Sequence, residues 1–172
     1  MRGLLLALPL IAACTGKSSD DSADPDGVFM PDEGAWTVAS ESVVSDGCGL
    51  YTDSPPDSDA ASLTHVSAGV FTLSIGGGED SVAADITCTL EGQTASCPAT
   101  TAFEVDYADA GIDGVLSLTF TISGAFSSAT EATLVNQADL SCAGADCDQV
   151  EAGAGLPLPC TTTTELNVVH SG

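Results

Sequence analysis

Basic residues are almost missing from this sequence. In 172 residues, Arg2 and Lys17 are the only Lys or Arg, against 25 Asp and Glu, and the formal net charge is −23. Nucleic-acid phosphates and anionic lipid headgroups repel such a chain, so no nucleic acid is expected as a partner. Histidine is scarce too. His65 sits in a strand-like stretch, Ser62–Val66, with no acid in local register, and His170, two residues from the end, is expected to fray. The sequence has no Gly-x-Ser-x-Gly elbow, phosphate loop or dinucleotide fingerprint, so no catalytic residue is assigned and a hydrolase ranks last among the functions. There is no Cys-x-x-Cys, which argues against zinc, and no metal or cofactor is expected. Helical periodicity of useful length is also lacking. At 44% hydrophobic residues, however, the chain is too apolar to be wholly disordered.

What the sequence does have begins at its first residues. Arg2 gives a short positive region, Leu4–Leu10 an apolar one, and the small pair Ala12-Ala13 precedes Cys14. The apolar run falls short of the ~20 residues that a membrane-crossing helix needs, so residues 1–13 read as a secretory signal. Leu10-Ile11-Ala12-Ala13-Cys14 resembles the lipobox of bacterial lipoproteins. That resemblance implies diacylglyceryl transfer to the Cys14 thiol, cleavage after Ala13 and acylation of the new amino terminus. It also implies a place in the cell envelope, with the outer membrane favoured because Thr15, rather than Asp, follows the cysteine. Cleavage leaves Lys17 as the only base, so acyl chains, not charge, must hold this protein to a membrane.

Residues 14–33 then read as the lipidated cysteine and an acidic spacer, Thr-Gly-Lys-Ser-Ser-Asp-Asp-Ser-Ala-Asp-Pro-Asp-Gly and its continuation. Asp24, Asp26, Gly27 and Glu33 fit a calcium-loop register that begins at Ser22. Ser22 itself is the wrong first ligand and Pro31 interrupts, so the bland spacer is the better reading. From residue 34 to 172 the apolar period is two. Phe71, Leu73 and Ile75 alternate with polar residues, as do Val82 to Leu90, Phe103 to Tyr107, Leu116 to Ile122, and Leu166 with Val168. Turn signals at Asp46-Gly47, Gly76–Gly78, Gly92-Gln93, Gly111–Gly114 and Gly124 separate them. The expected fold is all-β: an antiparallel up-and-down barrel or sandwich of about 8–10 strands, stapled by disulfides.

Six cysteines follow Cys14, and an even number in an exported chain argues for three disulfides, with fifteen pairings open. If Gly92-Gln93 is a two-residue turn, Cys88 faces Cys97 at a non-hydrogen-bonded position, where Cα atoms lie ~4.5 Å apart. Cys142 and Cys147 can close a small local loop. Cys48, at the end of the first strand, is then left for Cys160, at the start of the last; the two meet if those strands run antiparallel.

Gly34-Ala35-Trp36 opens the first strand, and Asp106-Tyr107 follows about 70 residues later. This looks like the lipocalin arrangement, in which an early Gly-x-Trp strand closes a barrel around a small apolar ligand. Val105 stands where lipocalins favour Thr, and the arginine that caps their tryptophan has no counterpart. The layout is also similar to small cysteine-bearing β lipoproteins of unknown function, a likeness that implies no activity. The expected function is a non-catalytic β domain, binding or structural, on a membrane anchor at Cys14. The alternative is a lipocalin-like carrier. The two differ in whether the barrel encloses an apolar cavity of a few hundred Å³.

Overall fold

A computed structural model describes residues 29–51, 61–75 and 84–172. The described residues form eight strands: β1 (Gly34–Asp46), β2 (Ala61–Ser67), β3 (Val70–Ile75), β4 (Ala84–Glu91), β5 (Thr94–Asp106), β6 (Val115–Ser128), β7 (Glu131–Ala143) and β8 (Cys160–His170). Each pairs antiparallel with the next, and β8 returns to β1 from Trp36↔His170 to Asp46↔Thr162, closing an up-and-down barrel. The sandwich is thereby excluded. Closure removes the exposed edges that an open sheet would present.

One end of the barrel holds the tight hairpins at Gly69, Gly92-Gln93 and Ala129-Thr130, together with the chain entering β1 and leaving β8. The described connections β5–β6 and β7–β8, with the turn that follows β1 at Gly47–Tyr51, fall at the other end, here called the loop end. Strands β2–β4 have only 6–8 residues, whereas the other five have 11–14.

Side chains fill the interior in two clusters. The larger lies toward the hairpin end and includes Trp36, Phe71, Ile86, Ile122, Phe126 and Val168. A smaller one at the loop end holds Cys48, Leu116, Leu140, Val150 and Cys160. An eight-strand barrel is just wide enough for side chains to fill it in this way.

Several local features differ from the sequence reading. A helix, α1 (Cys147–Ala154), follows β7 and buries Val150 against the lower cluster. It is too short to show helical periodicity or to stand alone. Tertiary ties hold it instead: the Cys142–Cys147 pair, the Asp113 N–H donating to the Asp146 carboxylate at 2.9 Å, and the Asp146 N–H donating to the Asp113 carbonyl at 2.9 Å. Gly124 is not a turn but lies inside β6, opposite Leu134 on β7. A Cβ there would meet the Thr133 carbonyl oxygen and come within 2.8 Å of the Leu134 Cα, so close backbone approach requires glycine. His170 is not frayed. Its N–H donates to the Thr130 carbonyl and its ring packs against Trp36 with centroids 5.7 Å apart.

The cysteine arithmetic is met at all three places. Glu91↔Thr94 and Thr89↔Ser96 set the expected hairpin register, and Cys88 and Cys97 stand with Sγ atoms 2.05 Å apart and Cα atoms 4.1 Å apart. Cys142 and Cys147 pair at 2.09 Å, and Cys48 and Cys160 at 2.16 Å across the β1–β8 seam.

Candidate functional site

Two interior regions have the chemistry to be a site. The first is the aromatic cluster at the hairpin end. Alternation places Trp36 inward on β1, where it is 2% exposed and meets Phe126 edge-on at 5.8 Å. Phe126 in turn meets Phe71 at 6.0 Å and Phe29 at 5.9 Å. The segment before β1 closes this end: the Asp32 N–H donates to the Ala129 carbonyl, Trp36 Nε1 donates to the Asp32 carbonyl at 3.1 Å, and Pro31 is fully buried. His170 Nε2 lies 3.0 Å from the Glu33 carbonyl oxygen, so it carries the proton and donates. These bonds give Trp36 Nε1 and His170 Nε2 structural partners.

Inside the cluster is a cavity of about 30 Å³, lined among others by Trp36, Leu63, Phe71, Ile122 and Phe126. The lining is wholly apolar. It has about the volume of one water molecule but offers no hydrogen-bond partner to hold one. Small-molecule sites run to ~300–1,000 Å³, roughly ten times larger or more. The described residues thus pack this part of the barrel rather than line a ligand chamber.

The second region is a polar belt between the two clusters. Thr162 and Thr164 are the buried polar residues among those described, and both face inward from β8. On β7, Asn136 sits opposite Thr164, and its Oδ1 is buried without a hydrogen-bond partner among the described residues. Strand β1 reaches this belt through two bulges, between Val38 and Ser40 and between Val43 and Ser45. Each bulge reverses the alternation. Glu41 and Val43, paired with Leu166 and Thr164, therefore share the inward face, as does Asp46 opposite Thr162.

Asp46 has the clearest electrostatic role. Its carboxylate accepts the Tyr51 N–H at 2.8 Å, the Leu50 N–H at 3.1 Å and the Thr162 hydroxyl at 3.0 Å. The Tyr51 amide above all, with smaller help from Leu50 and Thr162, holds the Asp46 carboxyl below its ordinary 3.8, against the opposing effect of desolvation. Burial, then the nearby charges of Glu41 and Asp46, push the Tyr51 hydroxyl up from its usual range. Ionised Asp46 thus pins the turn after β1, which carries Cys48 to Cys160. A depressed folded-state pKa stabilises the fold above the unfolded value, and that contribution disappears as pH falls through the folded one. Asp46→Asn should be less stable than wild type near neutrality, with the gap closing in acid below pH 3.8. Denaturant melts of both proteins across that range check it; a gap independent of pH would show that ionisation is irrelevant.

Of the residues singled out in the sequence, Cys14, Ser22, Asp24, Asp26 and Gly27 lie outside the described residues. So does Val82. His65 pairs with Phe71 on β3 through its backbone register. Trp36 and Tyr107, which carry the lipocalin resemblance, belong to different interior clusters and are not brought together. Among the described residues no group of three or more His, Cys, Asp or Glu is placed to hold a metal ion. No helix among them is long and apolar enough to cross a membrane. Comparison with known protein families, curated proteins and solved structures finds no match for this chain.

Proposed function

We propose that this chain is a lipid-anchored component of the bacterial cell envelope, acylated at Cys14, whose barrel serves a non-catalytic binding or structural role. The observation that carries the reading is the cysteine count. Six of seven cysteines pair among themselves at disulfide distance, which leaves Cys14 as the odd one, at the end of a lipobox-like stretch. Three such pairs suit an oxidising compartment outside the cytoplasm. Packing of the hairpin-end cluster supports binding at the surface over carriage of a small apolar molecule, because the cavity that its described residues line, about 30 Å³, has no room for one.

The test is Cys14→Ser in cells fed a labelled fatty acid. The wild type should carry the label and sediment with membranes, favouring the outer membrane on a density gradient. The variant should lose the label and either leave the membrane or accumulate unprocessed. A processed variant that stays on membranes without lipid would overturn the anchor.

A further inference from the structure

We propose that the Cys142–Cys147 bond is a site of reversible thiol–disulfide exchange, open to an external dithiol while the barrel stays folded, and that it latches α1 onto the lower cluster. The inference goes beyond the binding role above and does not depend on the anchor.

Burial separates this bond from the other two. Cys48, Cys88, Cys97 and Cys160 are at most 8% exposed, so a reductant reaches them only when the barrel opens. Cys142 and Cys147 are half-buried, on a segment whose residues Ala143, Gly144 and Ala145 are all exposed. Exchange requires a thiolate to approach a disulfide sulfur, and access decides which bond it meets first.

What the bond holds is α1. The helix has eight residues and one buried side chain, Val150, which joins Leu116 and Leu140 in the lower cluster. It sits down on the backbone where β6 begins: a Cβ at Gly114 would lie 2.7 Å from Val150 Cγ2 and 3.7 Å from Cys142 Sγ. So short a helix does not hold itself in water. Cys147 is its first residue, so the disulfide fixes its start directly to β7. Beyond it, Leu156 and Leu158 pack on the lower cluster and Cys160 is bonded to Cys48, which confines any opening to the helix and the turn before it. The exposed hydrogen bonds between Asp113 and Asp146 survive reduction, keep the two thiols near each other and let the bond re-form.

In the exchange, a thiolate of the dithiol attacks one sulfur of the pair and expels the other as a thiolate, which takes up a proton. The second thiol of the reductant then displaces the first from the mixed disulfide. Two electrons and two protons pass to Cys142 and Cys147, and the reductant leaves as its own disulfide.

The test uses the full chain, oxidised, with free thiols first blocked by N-ethylmaleimide so that Cys14 is silent whether or not it is acylated. Dithiothreitol is added without denaturant, and new thiols are trapped with deuterated N-ethylmaleimide and mapped by mass. Cys142 and Cys147 should be labelled together, roughly tenfold or more faster than the four buried cysteines, which should follow only in urea. Labelling of a buried pair at the same rate, or none at Cys142 and Cys147 until urea is present, would overturn the exchange site. Hydrogen exchange then compares the oxidised chain with the chain reduced at this one bond. The Val150 N–H donates to the Asp146 carbonyl and the Gly155 N–H to the Glu151 carbonyl, so both report on α1. They should exchange roughly tenfold faster after reduction and recover on re-oxidation, while β6 and β7 keep their protection. Cys142→Ser with Cys147→Ser should match the reduced chain. Unchanged exchange at Val150 and Gly155 after reduction would overturn the latch, and the wild type supplies that readout even if the variant fails to fold.

Discussion

Replacing Trp36 with Ala should lower the unfolding free energy by about 3–5 kcal/mol and the melting temperature by roughly 10 °C. Trp36 is the only tryptophan and is 2% exposed. It joins three elements at once: Phe126 of β6 edge-on, His170 of β8, and the Asp32 carbonyl through Nε1. Truncation therefore empties a ring-sized volume beside a cavity that already exists. It also frees the Asp32 carbonyl and removes the surface on which residues 29–33 and His170 close the barrel. Neighbouring rings such as Phe126 and Phe71 are held by other strands and cannot collapse far into the gap. Trp36→Phe, which keeps a ring but loses the indole N–H, should fall between the two. Urea melts followed by far-ultraviolet circular dichroism decide it, since the variant has no tryptophan fluorescence. A loss below ~1 kcal/mol would show that the cluster repacks freely and that Trp36 is not its hub.

Removing the Cys48–Cys160 pair as Cys48→Ala with Cys160→Ala should cost about as much, ~4–5 kcal/mol, and more than removing either other pair. In the chain-entropy account the stabilisation grows with the loop closed. The sequence separation is 112 for Cys48–Cys160, 9 for Cys88–Cys97 and 5 for Cys142–Cys147. The long loop spans nearly the whole barrel, and the bond lies at the seam where β8 meets β1. Cys48 and Cys160 are also buried in the lower cluster, so their loss removes packing along with the cross-link. The ranking is the sharper expectation: Cys48–Cys160 first, Cys88–Cys97 second, Cys142–Cys147 last. Denaturant melts of the three double-Ala variants under matched conditions test it. A reversed order would mean that local distortion outweighs loop entropy.

Much of this architecture was legible in the residues. Alternation at Phe71–Ile75, at Ala84–Leu90 and at Leu116–Ile122 specifies strands because a pleated chain turns successive side chains to opposite faces. The Cys88–Cys97 pairing was equally readable, since a two-residue turn at Gly92-Gln93 leaves a single register. Both are local relations, settled within about ten residues.

Other features depend on partners distant in sequence. Strand β7 escaped the pattern because one of its inward positions is the polar Asn136, in the belt opposite Thr164, and the next, Ala138 opposite Thr162, is too small to mark an apolar face. Gly124 resembled a turn and is a strand residue, since its requirement for glycine comes from Leu134 on the neighbouring strand. Helix α1 is held by the ties between Asp113 and Asp146, one to the backbone carbonyl and one to the Asp146 carboxylate, rather than by its own periodicity. In the candidate site the decisive devices are the β1 bulges. Strict alternation from Trp36 and Val38 would send Ser40 and Ser42 inward and Glu41 out. The first bulge inverts this, so that Glu41 and Val43 face the interior, and the second brings Asp46 to Thr162.

By itself, then, the sequence determined the all-β character, the hairpin disulfide, the spare cysteine and the overwhelming negative charge, because each follows from residue type and short-range spacing. The tertiary structure alone decided that eight strands close into a barrel, that its described interior is packed, and that two bulges in β1 turn Glu41, Val43 and Asp46 inward. Closure, register inversion at bulges and the fit of facing strands are relations between residues up to 100 or more positions apart. No local pattern encodes them, because their energies arise only when the strands meet.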